Sequence, residues 1–183
     1  ARTWNALYQQ RPAPESGDYF QADWLVPFEQ MPLGLPKGIR REDLSIYGAS
    51  DYATTADGGD YTVHVVVGVD RDHRLYLLDM WRKQSASDKW VEAFCDLVQK
   101  WRPIGWAEEA GQIKASVGPF LRKRLMERQL YIARKQFPTR GDKAVRCQAI
   151  RGRMAQCGLY VPHNAPWFPS LKAELMVFPN GRN

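Results

Sequence analysis

The chain has 183 residues, 44% of them hydrophobic, with seven tryptophans and a formal charge of +6. That length and apolar content argue against a disordered chain and suit one globular domain. No apolar run approaches the ~20 residues that span a bilayer, and no signal-peptide pattern opens the chain, so a soluble intracellular protein with no membrane partner is expected.

Residues 1 to about 41 carry Pro12, Pro14, Pro27, Pro32 and Pro36 with Gly17, Gly34 and Gly38, and regular secondary structure is not expected over most of them. Their aromatics (Trp4, Tyr8, Tyr19, Phe20, Trp24, Phe28) mark 1–43 as a connector packing along the surface of a domain that spans 44–183. Ser45–Tyr52 is a candidate strand, and Asp57-Gly58-Gly59 a turn. Tyr61–Val69 alternates strictly, with Tyr61, Val63, Val65, Val67 and Val69 on one face and Thr62, His64, Val66 and Gly68 on the other. After a turn at 70–73, Leu75–Trp81 completes an antiparallel meander.

Ser85 or Ser87 can cap a helix whose face is Trp90, Phe94, Leu97, Val98 and Trp101, stopped by Pro103. Ile104–Glu109 reads as a buried fourth strand. Ala115–Leu130 reads as a second helix with Val117, Phe120, Leu121 and Leu125 inward, and Leu130–Ala133 as a fifth strand. A third helix is expected from about Asp142 to Gln156, with Cys147, Ile150, Met154 and Cys157 on its apolar side and Gly158 as its stop. Leu159–Pro162 is a short strand and Trp167–Val177 a last helix. This order describes an α/β layered fold with a mixed sheet. Cys95, Cys147 and Cys157 form no C-x-x-C pair and read as core packing, and His64, His73 and His163 show no ligand spacing.

Charge is unevenly spread. Between Lys114 and Arg153 twelve Lys and Arg face only Glu127 and Asp142, a local +10 against −4 for the remainder. Such a block points to a polyanion on one side of the fold, or to solvated helix faces. Lys143 and Arg146 open the third helix, flanked by Lys135 and Arg140, and these four are the candidate phosphate contacts. No base-reading motif accompanies them, so little sequence preference is expected.

Asp51 ends the first strand, and Glu108 and Glu109 end the fourth. If those strands are parallel neighbours, the acids reach one edge, where hard carboxylate oxygens suit divalent ions. Asp51 alone reads equally as a turn or capping residue. Asp60 has two readings, an outer metal ligand or a turn residue after Gly58-Gly59. Glu109 points to the opposite face from Glu108, since strand neighbours alternate.

The order of elements, with acids at those strand ends, resembles the ribonuclease H-like nucleases. Trp4–Pro12 with Gly17–Phe20, Asp51-Tyr52-Ala53 with Gly59–Thr62, Glu108–Gly111, Gly141–Arg146, and Gly158–Pro162 leading to Phe178–Gly181 are similar, in that order, to motifs of the C-terminal nuclease domain of the large terminase subunit of tailed bacteriophages. The resemblance implies a metal-dependent endonuclease that cuts concatemeric double-stranded viral DNA during packaging. It implies two Mg²⁺ or Mn²⁺ ions on Asp51 and Glu108, the first of the two glutamates, with Asp60 as a possible outer ligand. Implied partners are DNA, a small terminase subunit, a portal or procapsid, and an ATPase domain of the same polypeptide, in the host cytoplasm. No G-x-x-x-x-G-K-[ST] occurs in the chain. The family's third acid is expected just past Asn183, with Glu174 a poor substitute on a helix surface, so weak cleavage is expected of these 183 residues. A junction resolvase or integrase, or a silent DNA-gripping or capsid-docking module, are the competing readings.

Overall fold

The alternation of Thr62–Val69 makes it the centre of a meander that a parallel half extends. The computed structural model describes residues 17–53, 61–110, 113–138 and 141–180. Its strands are β1 (Leu25–Phe28), β2 (Ser45–Asp51), β3 (Thr62–Val69), β4 (Leu75–Lys83), β5 (Gly105–Ala110), β6 (Arg134–Pro138) and β7 (Leu159–Pro162). The helices are α1 (Ser87–Trp101), α2 (Ile113–Glu127), α3 (Lys143–Arg146), α4 (Gln148–Cys157) and α5 (Phe168–Val177). Among the described residues the strands form one sheet in the order β1-β7-β4-β3-β2-β5-β6. β3 pairs antiparallel with β2 and β4. The β2–β5, β5–β6, β4–β7 and β1–β7 pairs are parallel. No helix of the described residues is long and apolar enough to cross a membrane.

Several expectations are corrected. Leu25–Phe28, expected to be irregular, is an edge strand, a position that tolerates Pro27 because an edge need not donate on its outer side. The strand expected at Leu130–Ala133 begins at Arg134. The third helix is interrupted at Cys147, giving a four-residue α3 and a separate α4. Neither serine caps α1: Ala86 is its N-cap and makes no side-chain cap bond. On α2, Leu121 and Leu125 are buried four residues apart, while Phe120, rotated away from that stripe, is exposed. Cys95 is buried, but Cys157 is exposed and is not core.

Two apolar layers flank the sheet. On one side α1 and α2 bury Trp90, Phe94, Val98, Leu121 and Leu125 against Ile46, Val66, Leu78 and Trp106. On the other, α4 and α5 set Met154 and Met176 against Leu77, Val65 and Val67. Of the two faces of β3, the one with the polar residues is the more deeply buried: Thr62, His64 and Val66 are inaccessible, and the valines opposite are half-buried.

His64 is tolerated there because a directional hydrogen-bond chain satisfies it. Nε2 lies 2.9 Å from the Trp90 carbonyl, which can only accept, so Nε2 carries the proton and Nδ1 accepts. The Ser50 hydroxyl therefore donates to Nδ1 at 2.7 Å, and Ser50 Oγ accepts the Trp106 indole N–H at 2.8 Å. β5, β2, β3 and α1 are thereby tied together one residue behind Asp51. The indole reaches Ser50 by crossing Gly48, where a Cβ would stand 2.1 Å from the ring.

Two outcomes follow from this chain. Gly48→Ala displaces the indole and should destabilise the fold by about 2–3 kcal/mol in urea unfolding, through overpacking and a lost buried bond. Burial, only partly offset by the bond to Trp90, pushes the His64 pKa down to about 4. Between that value and the unfolded value near 6.5 only the unfolded chain takes up this proton, so stability is intact above pH ~6.5 and falls as the pH is lowered. His64→Gln should remove about 2 kcal/mol of the difference in unfolding free energy between pH 7 and pH 5.

Candidate active site

Registered partners on neighbouring strands point to the same face of a sheet, and successive residues of one strand to opposite faces. Ser50 registers with Glu108 across the parallel β2–β5 pair, so Glu108 shares the α1 face with Ser50 and Trp106. Asp51 and Glu109, each one residue further on, share the other face at the carboxyl ends of adjacent strands. Sequence reasoning joined Asp51 to Glu108. The fold brings both to one edge of the sheet but to opposite faces.

Glu108 is 3% exposed. Its Oε1 accepts from Arg134 Nη2 at 2.8 Å and from the Tyr52 hydroxyl at 2.5 Å, and Arg134 Nε lies 3.1 Å from both carboxylate oxygens. Burial, with the nearby Glu108 carboxylate second, pushes the Tyr52 phenol pKa up, so the phenol remains a donor. This carboxylate is thus enclosed by a guanidinium and a phenol, the condition under which a buried charge is tolerated. Sequence reasoning missed Arg134 and Tyr52. The apolar Trp106, two residues before Glu108, carried the signal that Glu108 turns inward.

Glu109 lies on the opposite, more open side. Its Oε1 is 3.6 Å from Arg146 Nη1, and both border a cleft of about 220 Å³ whose lining also takes in Ala49, Ser50, Ala107, Glu108, Phe137 and Pro138. Asp51 is exposed and ends β2 about one strand spacing (~4.8 Å) from β5. The face between them is a shelf: Ala49 and Ala107 keep it low, and Tyr47 and Phe137 are 41% and 48% exposed. Two carboxylates side by side supply hard oxygens suited to a divalent ion. Among the described residues no third His, Cys, Asp or Glu joins them.

The expected cations divide. Lys135 lies on β6 with its ammonium 5.4 Å from the Phe137 ring centre, and Arg146 sits against Glu109. Lys143 is exposed at the start of α3, whose N-cap Asp142 accepts from the Ala144 amide at 2.9 Å. Four residues make α3 too short for a helix-terminus anion site, so only the side chains of Lys143 and Arg146 are available there. The Tyr19 hydroxyl donates to the Ala144 carbonyl and pins α3 in place. Several other cations of the basic block are spent on structure. Arg124 of α2 and Arg128, just past its end, pair with Glu92, and Arg128 also with Asp96, all on the α1 side. Arg151 stacks on Tyr19. Asp60 and Arg140 lie outside the described residues.

Comparison with known proteins identifies the fold and the family. The profile described as the Terminase RNaseH-like domain matches residues 48–182. A crystal structure of the large terminase nuclease from thermophilic phage G20c with bound magnesium is similar, with a TM-score of 0.60 at 17% identity, covering 90% of this chain and 81% of that one. The same nuclease with bound zinc gives a TM-score of 0.54 at 17% identity, covering 87% and 85%. A search of curated proteins found no match. The mixed sheet with helices on both faces is the ribonuclease H-like fold, and the chain belongs to the terminase RNaseH-like domain family.

Proposed function

We propose that this domain is a metal-dependent endonuclease that hydrolyses phosphodiester bonds of double-stranded DNA, with Asp51 and Glu109, rather than Asp51 and Glu108, as its metal-holding acids. One observation carries the assignment: Asp51 and Glu109 lie level on adjacent parallel strands and on the same open face, whereas Glu108 is enclosed by Arg134 and Tyr52. Membership of the terminase family and the ions bound by the G20c nuclease support divalent metal use. Two Mg²⁺ or Mn²⁺ ions fit hard carboxylate ligands. When bound they would activate water and stabilise the oxygens of an in-line displacement.

The chain's own residues have distinct tasks in this reading. Asp51 and Glu109 present oxygens on the same face of the sheet, Glu109 at the edge of the cleft. Arg146, Lys143 and Lys135 offer cations to the DNA backbone, with Arg140 a further candidate, and none of them reads bases. Glu108, Arg134 and Tyr52 fix the end of β5 and so the aim of Glu109. A third acid would complete such a site, and Asp60 is a candidate for it. The biological setting we infer is the cutting of concatemeric viral DNA during packaging, with a small subunit, a portal and an ATPase domain as partners, in the host cytoplasm.

Plasmid nicking and Mn²⁺ titration by calorimetry test the assignment. Glu109→Gln should weaken metal binding on the order of a hundredfold and abolish nicking, while leaving the fold intact. Glu108→Gln should instead cost about 2–3 kcal/mol of stability, by leaving Arg134 without its buried partner, with metal affinity nearly unchanged. The reverse pattern would return the ligand role to Glu108. Added Mn²⁺ at about 100 times its Kd should stabilise the wild-type fold by about 2.7 kcal/mol, an effect that chelation reverses and Glu109→Gln loses.

A further inference from the structure

Arg82 stands in line with the proposed acids. Asp51 registers with Val63 on β3, and Val63 with Arg82 on β4, so all three point to the same face. Glu109 registers with Phe137 on the other side. The row across the sheet's edge is therefore Phe137, Glu109, Asp51, Val63, Arg82, with Arg146 against Glu109 at the near end. Arg82 closes the far end two strand spacings from Asp51, about 10 Å. Val63 between them is uncharged, so no side chain of that row competes with phosphate there.

The guanidinium is held in a defined position but is not sealed. Its Cζ lies 3.6 Å from the ring centre of the exposed Tyr61, and Nη2 is 2.5 Å from Glu174 Oε1 on α5. The Arg82 side chain is 27% exposed and that of Glu174 56%. A pair this accessible contributes little stability, so a stronger acceptor can displace the carboxylate. A phosphodiester is such an acceptor, and a guanidinium stacked on an aromatic ring keeps the orientation needed to meet it.

Building on the nuclease reading, we propose that Arg82 is a DNA-anchoring residue. It exchanges Glu174 for a backbone phosphate, so that DNA crosses the sheet's edge from Arg146 to Arg82 with the acids between these two cations. Glu174 is then a competitor for Arg82 and a weak brake on binding.

The test measures the affinity of a short random-sequence duplex by fluorescence anisotropy across a salt series, in Ca²⁺ to suppress cutting, with the full chain. Arg82→Gln should bind roughly fivefold more weakly, with the slope of log K against log salt reduced by about one. Glu174→Gln should bind more tightly at low salt, the opposite sign. Arg82→Lys keeps the charge and should retain the slope. If Arg82 only clamps α5 to β4, both neutralising variants lower the melting temperature and leave affinity and slope unchanged, which overturns the proposal. Calorimetric Mn²⁺ binding should be unaltered by either variant. Failure of the wild-type chain to bind DNA at all would overturn the nuclease reading and this proposal with it, whereas wild-type binding that is indifferent to Arg82 overturns this proposal alone.

Discussion

Two consecutive glutamates on a strand cannot share a face, and the organisation of this site follows from that constraint on Glu108 and Glu109. Register with β2 decides which goes where: Ser50 is inward, so Glu108 is inward, and Glu109 joins Asp51 outside. An inward carboxylate must be compensated in a dry layer, and Arg134 and Tyr52 compensate it. Arg134 comes from β6 and Tyr52 from just past β2, so the compensation also staples the strands on both sides of β5. The buried acid becomes a brace for the exposed one. The hydrogen-bond chain from Trp106 through Ser50 and His64 to Trp90 acts on the same strand ends from below.

Electrostatics is partitioned in the same way, by face. The local +10 of Lys114–Arg153 does not form one patch, because Arg124 of α2 and Arg128 just past its end meet the acids of α1 on the closed face. Salt-bridged, half-exposed pairs of this kind screen one another and project little field. The cations that border the acids are few, and each is placed by something other than helix propensity. Lys135 is set by β6 alternation, Arg146 by Glu109, and α3 as a whole by Tyr19 from the segment before β1.

Local periodicity made most of the fold legible. The meander, the parallel neighbour with its acids, the α1 stripe and the last strand and helix all rest on alternation or 3.6-residue spacing within one segment. What escaped depends on contacts distant in sequence. β1 has a proline and no alternation, and it exists because β7 offers it an edge. The start of β6 is set by its pairing with Trp106 and not by the apolar run before it. At the site, the residue types and their edge were readable, but the face was not. Motif resemblance selected Glu108, whereas simple alternation from the inward Trp106 already favours Glu109 as the outward acid. Arg134 and Tyr52 gave no local signal, because a partner for a buried charge is chosen by space.

The position of the open shelf follows from how the helices are shared between the faces. α1 and α2 lie on one side, and α4 and α5 cover the other over β4, β7 and β3, where Leu77, Val65 and Val67 meet Met154 and Met176. Beyond β3 that cover ends, and β2, β5 and β6 present Tyr47, Ala49, Ala107 and Phe137 on a partly exposed surface. A fully exposed apolar shelf would invite association, but this one is bordered by Asp51, Glu109, Lys135 and Arg146, which keep it hydrated and give it polarity. Among the described residues, the face that α4 and α5 leave open is the one on which the parallel strands β2 and β5 carry Asp51 and Glu109.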